Sequence, residues 1–238
     1  MSAVRQAGIG VLVRTEAFKV ASSRWQPVAL LAVVVLHVPP MLWSGQEAPA
    51  YWEGLRSRSG LFVAYTIMIF GVLVVAQEYR HRTAELSFLA VPGRHRITAA
   101  QCVTVAAAGL TMCSALFTAW LAVGVARYGA AGMHLDRPTR VVGAYGVVAV
   151  TVCAAGMIGV GLGTILRGST GALVALGSCA AVEPLTDATR FLGPATSPLG
   201  VLAWPTSELE ITSLCSALGW GVLALVGALI AVHRDLTS

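Results

Sequence analysis

The chain has 238 residues, of which 56% are hydrophobic and only 11% are charged, and its formal net charge is +5. A soluble domain carries about 25% charged residues, so this composition excludes an ordinary soluble enzyme and indicates an integral membrane protein. At roughly 20 residues per membrane-spanning helix, the length predicts an all-α polytopic protein with six transmembrane helices in a single transmembrane domain, 1–238.

The segment 1–24 predicts an amphipathic helix that lies on the inner membrane surface. Four apolar residues recur at helical spacing, and three charged residues lie off that face. The apolar residues are Val13, Ala17, Val20 and Ala21, and the charged residues are Arg14, Glu16 and Lys19. A cleavable signal peptide is the alternative, since Ala48-Pro49-Ala50 resembles a cleavage site. That leader would be longer than the usual length of about 15–30 residues, which favours the retained helix.

Six apolar stretches follow along the chain. The predicted spans are 25–43, 60–77, 97–126, 141–166, 169–182 and 212–233. Trp25 and Trp43 would lie at the two membrane interfaces, because the helix between them rises roughly 27 Å. The segment 183–211 is too polar to span and predicts an outer loop of short helices, which can enter the membrane only where protein covers its backbone.

The positions of the cations predict the orientation of the chain. With the N-terminus inside, ten Lys and Arg residues fall on the inner face and six on the outer face. By the positive-inside rule, both termini are expected in the cytoplasm, in a multi-pass protein of the plasma membrane. Because the cations cluster at span ends, the positive charge reflects topology, and no nucleic-acid partner is expected.

The sequence offers no catalytic, metal or nucleotide site. The predicted spans contain no Asp, Glu, Lys or Arg, which disfavours a proton relay. The five cysteines are far apart and show no C-x-x-C spacing. Lys19 is the only lysine and lacks the glycines of a phosphate-binding P-loop. We therefore expect no enzyme activity and no cofactor bound by this chain.

Three small residues in the fourth span follow the spacing that allows close helix contact, namely Gly156, Gly159 and Gly163. This pattern is typical of helix packing in membranes. It fits packing within one subunit and a dimer interface equally well.

The segment 78–96 between the second and third spans is the most informative part of the chain. It is dense in charge, yet too apolar for a bare linker, and predicts a short cytoplasmic helix along the membrane with a turn at Pro92-Gly93. Arg80, His81 and Arg82 offer donors for acidic groups on a soluble partner.

The run Glu78-Tyr79-Arg80-His81-Arg82-Thr83, followed by Pro92-Gly93-Arg94, resembles the coupling segment of the membrane subunit of type-2 ATP-binding-cassette (ABC) exporters. That family commonly shows a charged N-terminal helix, six spans and a motif like Glu-Tyr-Arg-x-Gly-Thr at the end of the second span. Arg82 stands where the family usually has glycine, and Gln101 where a lysine often begins the third span.

The resemblance implies that this chain is a permease that contacts its ATPase partner through a coupling helix. The implied contact residues are Glu78, Tyr79, Arg80, His81, Arg82, Thr83 and Arg94. The separate ABC ATPase subunit would bind ATP and Mg, and a second permease, identical or different, would complete the pathway. The uncharged spans suggest an apolar or amphipathic substrate, such as a drug, a lipid-like molecule or a hydrophobic peptide.

Two other classes of protein are compatible with the residues. A non-transporting membrane anchor or sensor could recruit a cytoplasmic partner through the same segment 78–96. A path of small and polar residues at a subunit interface would distinguish the permease from this anchor. An intramembrane enzyme is the other alternative, and it would need converging polar groups that the spans do not offer.

Overall fold

The computed structural model describes residues 8–23, 25–43, 60–80, 94–132, 138–186, 193–203 and 207–234. Within these ranges the protein is all-helical and contains no strand. The helices are α1 (Ile9–Ser22), α2 (Trp25–Trp43), α3 (Gly60–Arg80), α4 (Arg94–Gly132), α5 (Pro138–Leu166), α6 (Ser169–Thr186), α7 (Ser197–Ala203) and α8 (Ser207–Arg234). The predicted all-α architecture is confirmed for this part of the chain.

Among the residues that the structure describes, four helices are long and apolar enough to cross a membrane. They are α3, the His95–Gly129 part of α4, the Val141–Leu166 part of α5 and the Thr212–His233 part of α8. The helices α1 and α2 would count as a fifth span if taken together, although they meet at an angle of 73°. These apolar helices suggest a membrane-embedded protein, in keeping with the composition, while the count of six spans stays a prediction.

The centre of the bundle is α5, which contacts α3, α4, α6, α7 and α8. The largest fully buried side chains come from α3, α4, α5 and α7. They include Ile67, Met68, Leu116, Ile158 and Leu202. The short helix α7 lies within the predicted outer loop and packs into this core. Just before it, the carbonyl of Ala195 accepts a hydrogen bond from the Tyr65 hydroxyl of α3 at 2.7 Å.

The helices α3 and α5 approach each other closely because glycines line their contact. A Cβ atom at Gly159 would overlap the carbonyl oxygen of Met68, and one at Gly163 would lie 3.1 Å from the carbonyl oxygen of Val72. Gly156 faces Ile67 and the Val105 side chain of α4. The structure therefore places all three glycines of the predicted stripe in contacts within one chain, and a second subunit could reach them only by displacing α3.

The ends of the helices differ from the predicted spans at several points. The helix α3 continues through Arg80, whereas the predicted second span ends at Gln77. Residues 77–80 include no helix breaker, so nothing in the local sequence stops the helix when the apolar stretch ends. As a result, Glu78, Tyr79 and Arg80 form the last turn of α3 and do not belong to a separate element.

The helix α1 lies where the sequence predicts a helix, but it is rotated relative to the predicted face. Ala17 and Ala21 are exposed, although they belong to the predicted apolar set, whereas Val20 packs against the core. Glu16, which was expected on the polar side, is only 6% exposed. The expected polar position of Glu16 is thus wrong, because the packing of α1 against the bundle buries this side chain beside Lys19.

Candidate functional site

One lysine joins α1 to α3 at the end of the bundle where α3 ends and α4 begins. The Lys19 ammonium Nζ lies 2.6 Å from Oε1 of Glu16 and 2.6 Å from Oε1 of Glu78. The amide Nε2 of Gln101 donates to Oε2 of Glu78 at 2.8 Å. We call these four residues, Glu16, Lys19, Glu78 and Gln101, the Lys19 cluster. Through it, three helices share one hydrogen-bonded network.

Local helix geometry explains how the members of the cluster meet. Glu16 and Lys19 are three residues apart on α1, a spacing that places them on adjacent turns of one face. Glu78 stands in the last turn of α3, and Gln101 stands two turns into α4, so the two helix ends lie side by side. A second amide contact flanks the cluster, where Nε2 of Gln26 donates to Oε1 of Gln77 at 2.9 Å and joins α2 to α3.

The cluster is mostly buried and carries more negative than positive charge. Glu16, Glu78 and Gln101 are 6%, 8% and 3% exposed, whereas the Lys19 side chain is 41% exposed. Two carboxylates share one ammonium group, which gives a net charge of −1 when all three groups are ionised. Ion pairs that leave water need good geometry and additional hydrogen bonds. Gln101 supplies one of these bonds to Glu78.

Burial shifts the protonation of the two charged groups on α1. Burial raises the pKa of Glu16 above its ordinary value of 4.5; the hydrogen bond from Lys19 opposes this effect, and the charge of Glu78 adds to it. Burial acts to lower the pKa of Lys19, but the hydrogen bonds to Glu16 and Glu78 outweigh it and raise the pKa above 10.5. Lys19 is therefore a cation at neutral pH, and Glu16 takes up a proton more readily than an ordinary glutamate.

The structure divides the predicted site residues into three groups. It unites Glu16, Lys19 and Glu78, which the sequence assigned to two separate elements. Arg14 and Arg80 are exposed and stand outside the cluster, and Tyr79 is half-buried against the core. His81, Arg82 and Thr83 lie outside the described residues, as does the side chain of Arg94 at the start of α4.

Sequence reasoning missed the amides Gln26, Gln77 and Gln101. Gln101 stands out in the sequence only because a lysine is typical of the exporter family at that place. In the structure, the cation that faces Glu78 is Lys19 of α1. An amide inside an otherwise apolar stretch, near the end of a span, was the available signal.

Glu16→Gln should reveal the cost of keeping Glu16 ionised. The pKa of Glu16 is raised in the folded state, so the ionised carboxylate lowers the free energy of unfolding. This destabilisation is complete above the folded-state pKa and disappears as the pH falls toward the ordinary value of 4.5. We expect the variant in detergent to melt at or above the wild-type temperature at pH 8, with a difference that shrinks toward pH 5. Thermal unfolding at both pH values measures this. Arg14→Gln, an exposed change on the same helix, should show no such trend, and a deficit of the Glu16 variant that is constant with pH would contradict the account.

No group in the described ranges forms a metal site, since no three His, Cys, Asp or Glu side chains there could hold an ion together. Lys19 links α1 directly to the end of α3, and α1 also packs against α4. The chain matches no protein-family model, no curated protein and no solved structure.

Proposed function

We propose that this chain is the permease subunit of an ABC exporter. The observation that carries the proposal is the Lys19 cluster, which ties α1 to α3 at the turn that holds Glu78, Tyr79 and Arg80. In the exporter resemblance, the N-terminal helix and this motif are the two elements that meet the ATPase subunit. A direct ion pair between them supports a role for both in one coupling device.

The mechanism follows from the way in which the cluster connects the helices. A conformational change can be driven by ATP only if the two states of the permease bind the closed ATPase dimer with different affinity. A push on α1 would act through Lys19 on the last turn of α3 and, through Gln101, on the first turns of α4. These helices would then tilt together between an inward-open and an outward-open state.

The proposal includes six spans, with α2 as the first and α6 as the short fifth. In it α1 lies along the inner surface, in keeping with the 73° angle between α1 and α2. Both termini face the cytoplasm, and the protein lies in the plasma membrane with a second permease, identical or different. ATP and Mg bind to the separate ATPase subunit.

A polar stripe on α4 favours a permease over a membrane anchor. Thr111, Ser114 and Thr118 are exposed near the middle of this span. The Ser114 hydroxyl also lies 2.8 Å from the Tyr145 hydroxyl of α5, and the Tyr145 ring packs edge-on against Phe117 at 5.3 Å. An anchor needs only an apolar surface toward lipid, whereas a pathway for an amphipathic substrate needs small and polar side chains of this kind.

Affinity purification from the native host tests the proposal. We expect a soluble ATPase to co-purify in stoichiometric amount, and Arg80→Ala to weaken its binding about tenfold, or about 1.4 kcal/mol. Arg80 is exposed and lies outside the Lys19 cluster, so this change spares the bundle and should leave membrane insertion and melting temperature unchanged.

Arg127→Ala is the matched control. Arg127 is also exposed, but it lies near the end of α4 that is far from the Lys19 cluster. It should retain the partner in full. Purification of the chain without any ATPase, with no effect of nucleotide on its melting temperature, would contradict the proposal and support the anchor or sensor alternative.

A further inference from the structure

Four hydroxyl groups from two helices lie together on the surface of the bundle. Thr111, Ser114 and Thr118 of α4 are exposed, and their spacing places them within about 60° of one another around the helix. The Tyr145 hydroxyl of α5 lies 2.8 Å from the Ser114 hydroxyl. We call these four residues the hydroxyl cluster. It extends about 10 Å along α4.

The hydrogen atoms of these hydroxyl groups are all in use. Each Ser or Thr hydroxyl of the cluster donates its single hydrogen to the carbonyl four residues earlier on α4, at 2.8 Å. Because Ser114 uses its hydrogen in this way, the contact with Tyr145 requires the tyrosine to donate. The hydroxyl cluster therefore presents oxygen acceptors to a molecule at its surface, and none of its four hydroxyl hydrogens remains to be donated.

The helices around the cluster are uncharged. The stretches 97–126 of α4 and 141–166 of α5 contain no Asp, Glu, Lys or Arg. An ionised ligand would therefore find no opposite charge on these stretches, whereas a neutral ligand needs none. Ala107, Ala115 and Ala122 are exposed on the same face of α4, and their short side chains leave room for a molecule to approach the oxygens.

This chemistry distinguishes among the molecules that could cover the cluster in a membrane. Lipid acyl chains carry no donor and would leave the oxygens unpaired. A second copy packed symmetrically through α4 would bring the same acceptors to the contact, oxygen against oxygen. A molecule with N–H or O–H groups supplies the missing donors, and such hydrogen bonds are stronger in apolar surroundings than in water.

We propose that the hydroxyl cluster binds a neutral amphiphile that carries N–H or O–H donors, such as a secondary amide or an alcohol, with its apolar part against the alanines of α4. The inference rests on the proposed function in taking this amphiphile to be the exported substrate. It narrows the substrate class to molecules whose polar groups donate hydrogen bonds. The binding itself belongs to this chain and needs no ATPase.

Photolabelling of the purified chain in phosphatidylcholine nanodiscs tests the proposal, since phosphatidylcholine carries no hydrogen-bond donor. One probe is N-methyldodecanamide with a diazirine in its chain, which has one N–H group, and the other is its N,N-dimethyl form, which has none. We expect the N–H probe to label α4 around the cluster about fivefold more than the N,N-dimethyl probe, the ratio that one hydrogen bond provides. Mass spectrometry of the peptides locates the labelled residues.

Two variants remove acceptors with little change in shape. The double change Thr111→Val and Thr118→Val replaces two hydroxyls with methyl groups and should lower the preference for the N–H probe to about twofold or less. Tyr145→Phe removes the phenol oxygen and should also lower the preference, which provides a second variant if the double variant folds poorly. Thr66→Val is the matched control, because Thr66 donates to the carbonyl of Phe62 in the same way but belongs to α3. It should keep the full preference.

Equal labelling by the two probes would overturn the proposal, as would a preference that survives both cluster variants. Ala115→Cys tests the alternative occupant. A disulfide-linked dimer that forms in native membranes with this variant, and not with the wild type, would show that a second copy covers the cluster and would also overturn the proposal. A failure of the proposed function appears separately, as the absence of a co-purifying ATPase, and leaves the preference for the N–H probe unchanged.

Discussion

Glu78→Ala is expected to lower the free energy of unfolding by about 2–3 kcal/mol, because it removes the acceptor that two helices share. The change leaves the amide of Gln101, which is 3% exposed, without its acceptor. It also removes the only bond in the Lys19 cluster that joins α1 to α3. Lys19 is 41% exposed, so water compensates part of its loss and the estimate stays below that of a fully buried pair.

Thermal unfolding in detergent measures this loss, and tryptic cleavage after Lys19 reports whether α1 has left the bundle. Glu16→Ala is the matched control, since it removes the other carboxylate on Lys19 but leaves the link between α1 and α3 intact. We expect it to cost less than about 1 kcal/mol. If Glu16→Ala were as damaging as Glu78→Ala, the link between the helices would not be the important contact.

Gly159→Ala is expected to lower the free energy of unfolding by about 2–3 kcal/mol, as much as Glu78→Ala, because the added methyl group creates a steric conflict. The added Cβ would overlap the backbone carbonyl of Met68, and a backbone atom cannot move aside by changing a rotamer. The helices α3 and α5 would have to separate, which would loosen the contact at the centre of the bundle. A lower melting temperature and lower yield of monodisperse protein would record the change.

Gly143→Ala serves as the control because Gly143 lies on the same helix and a Cβ there meets nothing within 4 Å. Alanine is the better helix former by about 1 kcal/mol, so this variant should match or slightly exceed the wild type. Equal stability of the two alanine variants would show that α3 and α5 are not packed as closely as the structure has them.

Hydropathy alone located apolar helices but not the residues at which they end. The helix α2 has the bounds predicted for the first span, whereas α8 begins at Ser207, five residues before the predicted 212–233. Polar residues such as Glu208 and Glu210 continue a helix as readily as apolar ones, so a change in polarity marks the membrane boundary and not the helix end. The glycine stripe likewise predicted a close contact, and only the structure identifies α3 as its partner.

The candidate site was only partly predictable from sequence. The motif at Glu78 and the charges of α1 were each recognisable, because both interrupt apolar surroundings. That Lys19 would pair with Glu78 depends on how α1 packs against the bundle, and two residues 59 positions apart carry no local signal of that packing. The burial of Glu16 has the same origin, because it depends on how α1 packs against the bundle, although its partner Lys19 is only three residues away on the same helix.

Chemical labelling of Lys19 in native membranes tests the central claim, which is that the nucleotide state of a partner reaches the Lys19 cluster. Lys19 is the only lysine, and its raised pKa keeps the amine protonated and slow to react. We expect an ATP analogue that cannot be hydrolysed to change the labelling rate at least about threefold in native membranes, toward the rate of Glu78→Ala. It should have no effect on the purified chain alone. Equal rates with and without nucleotide in native membranes would contradict the account.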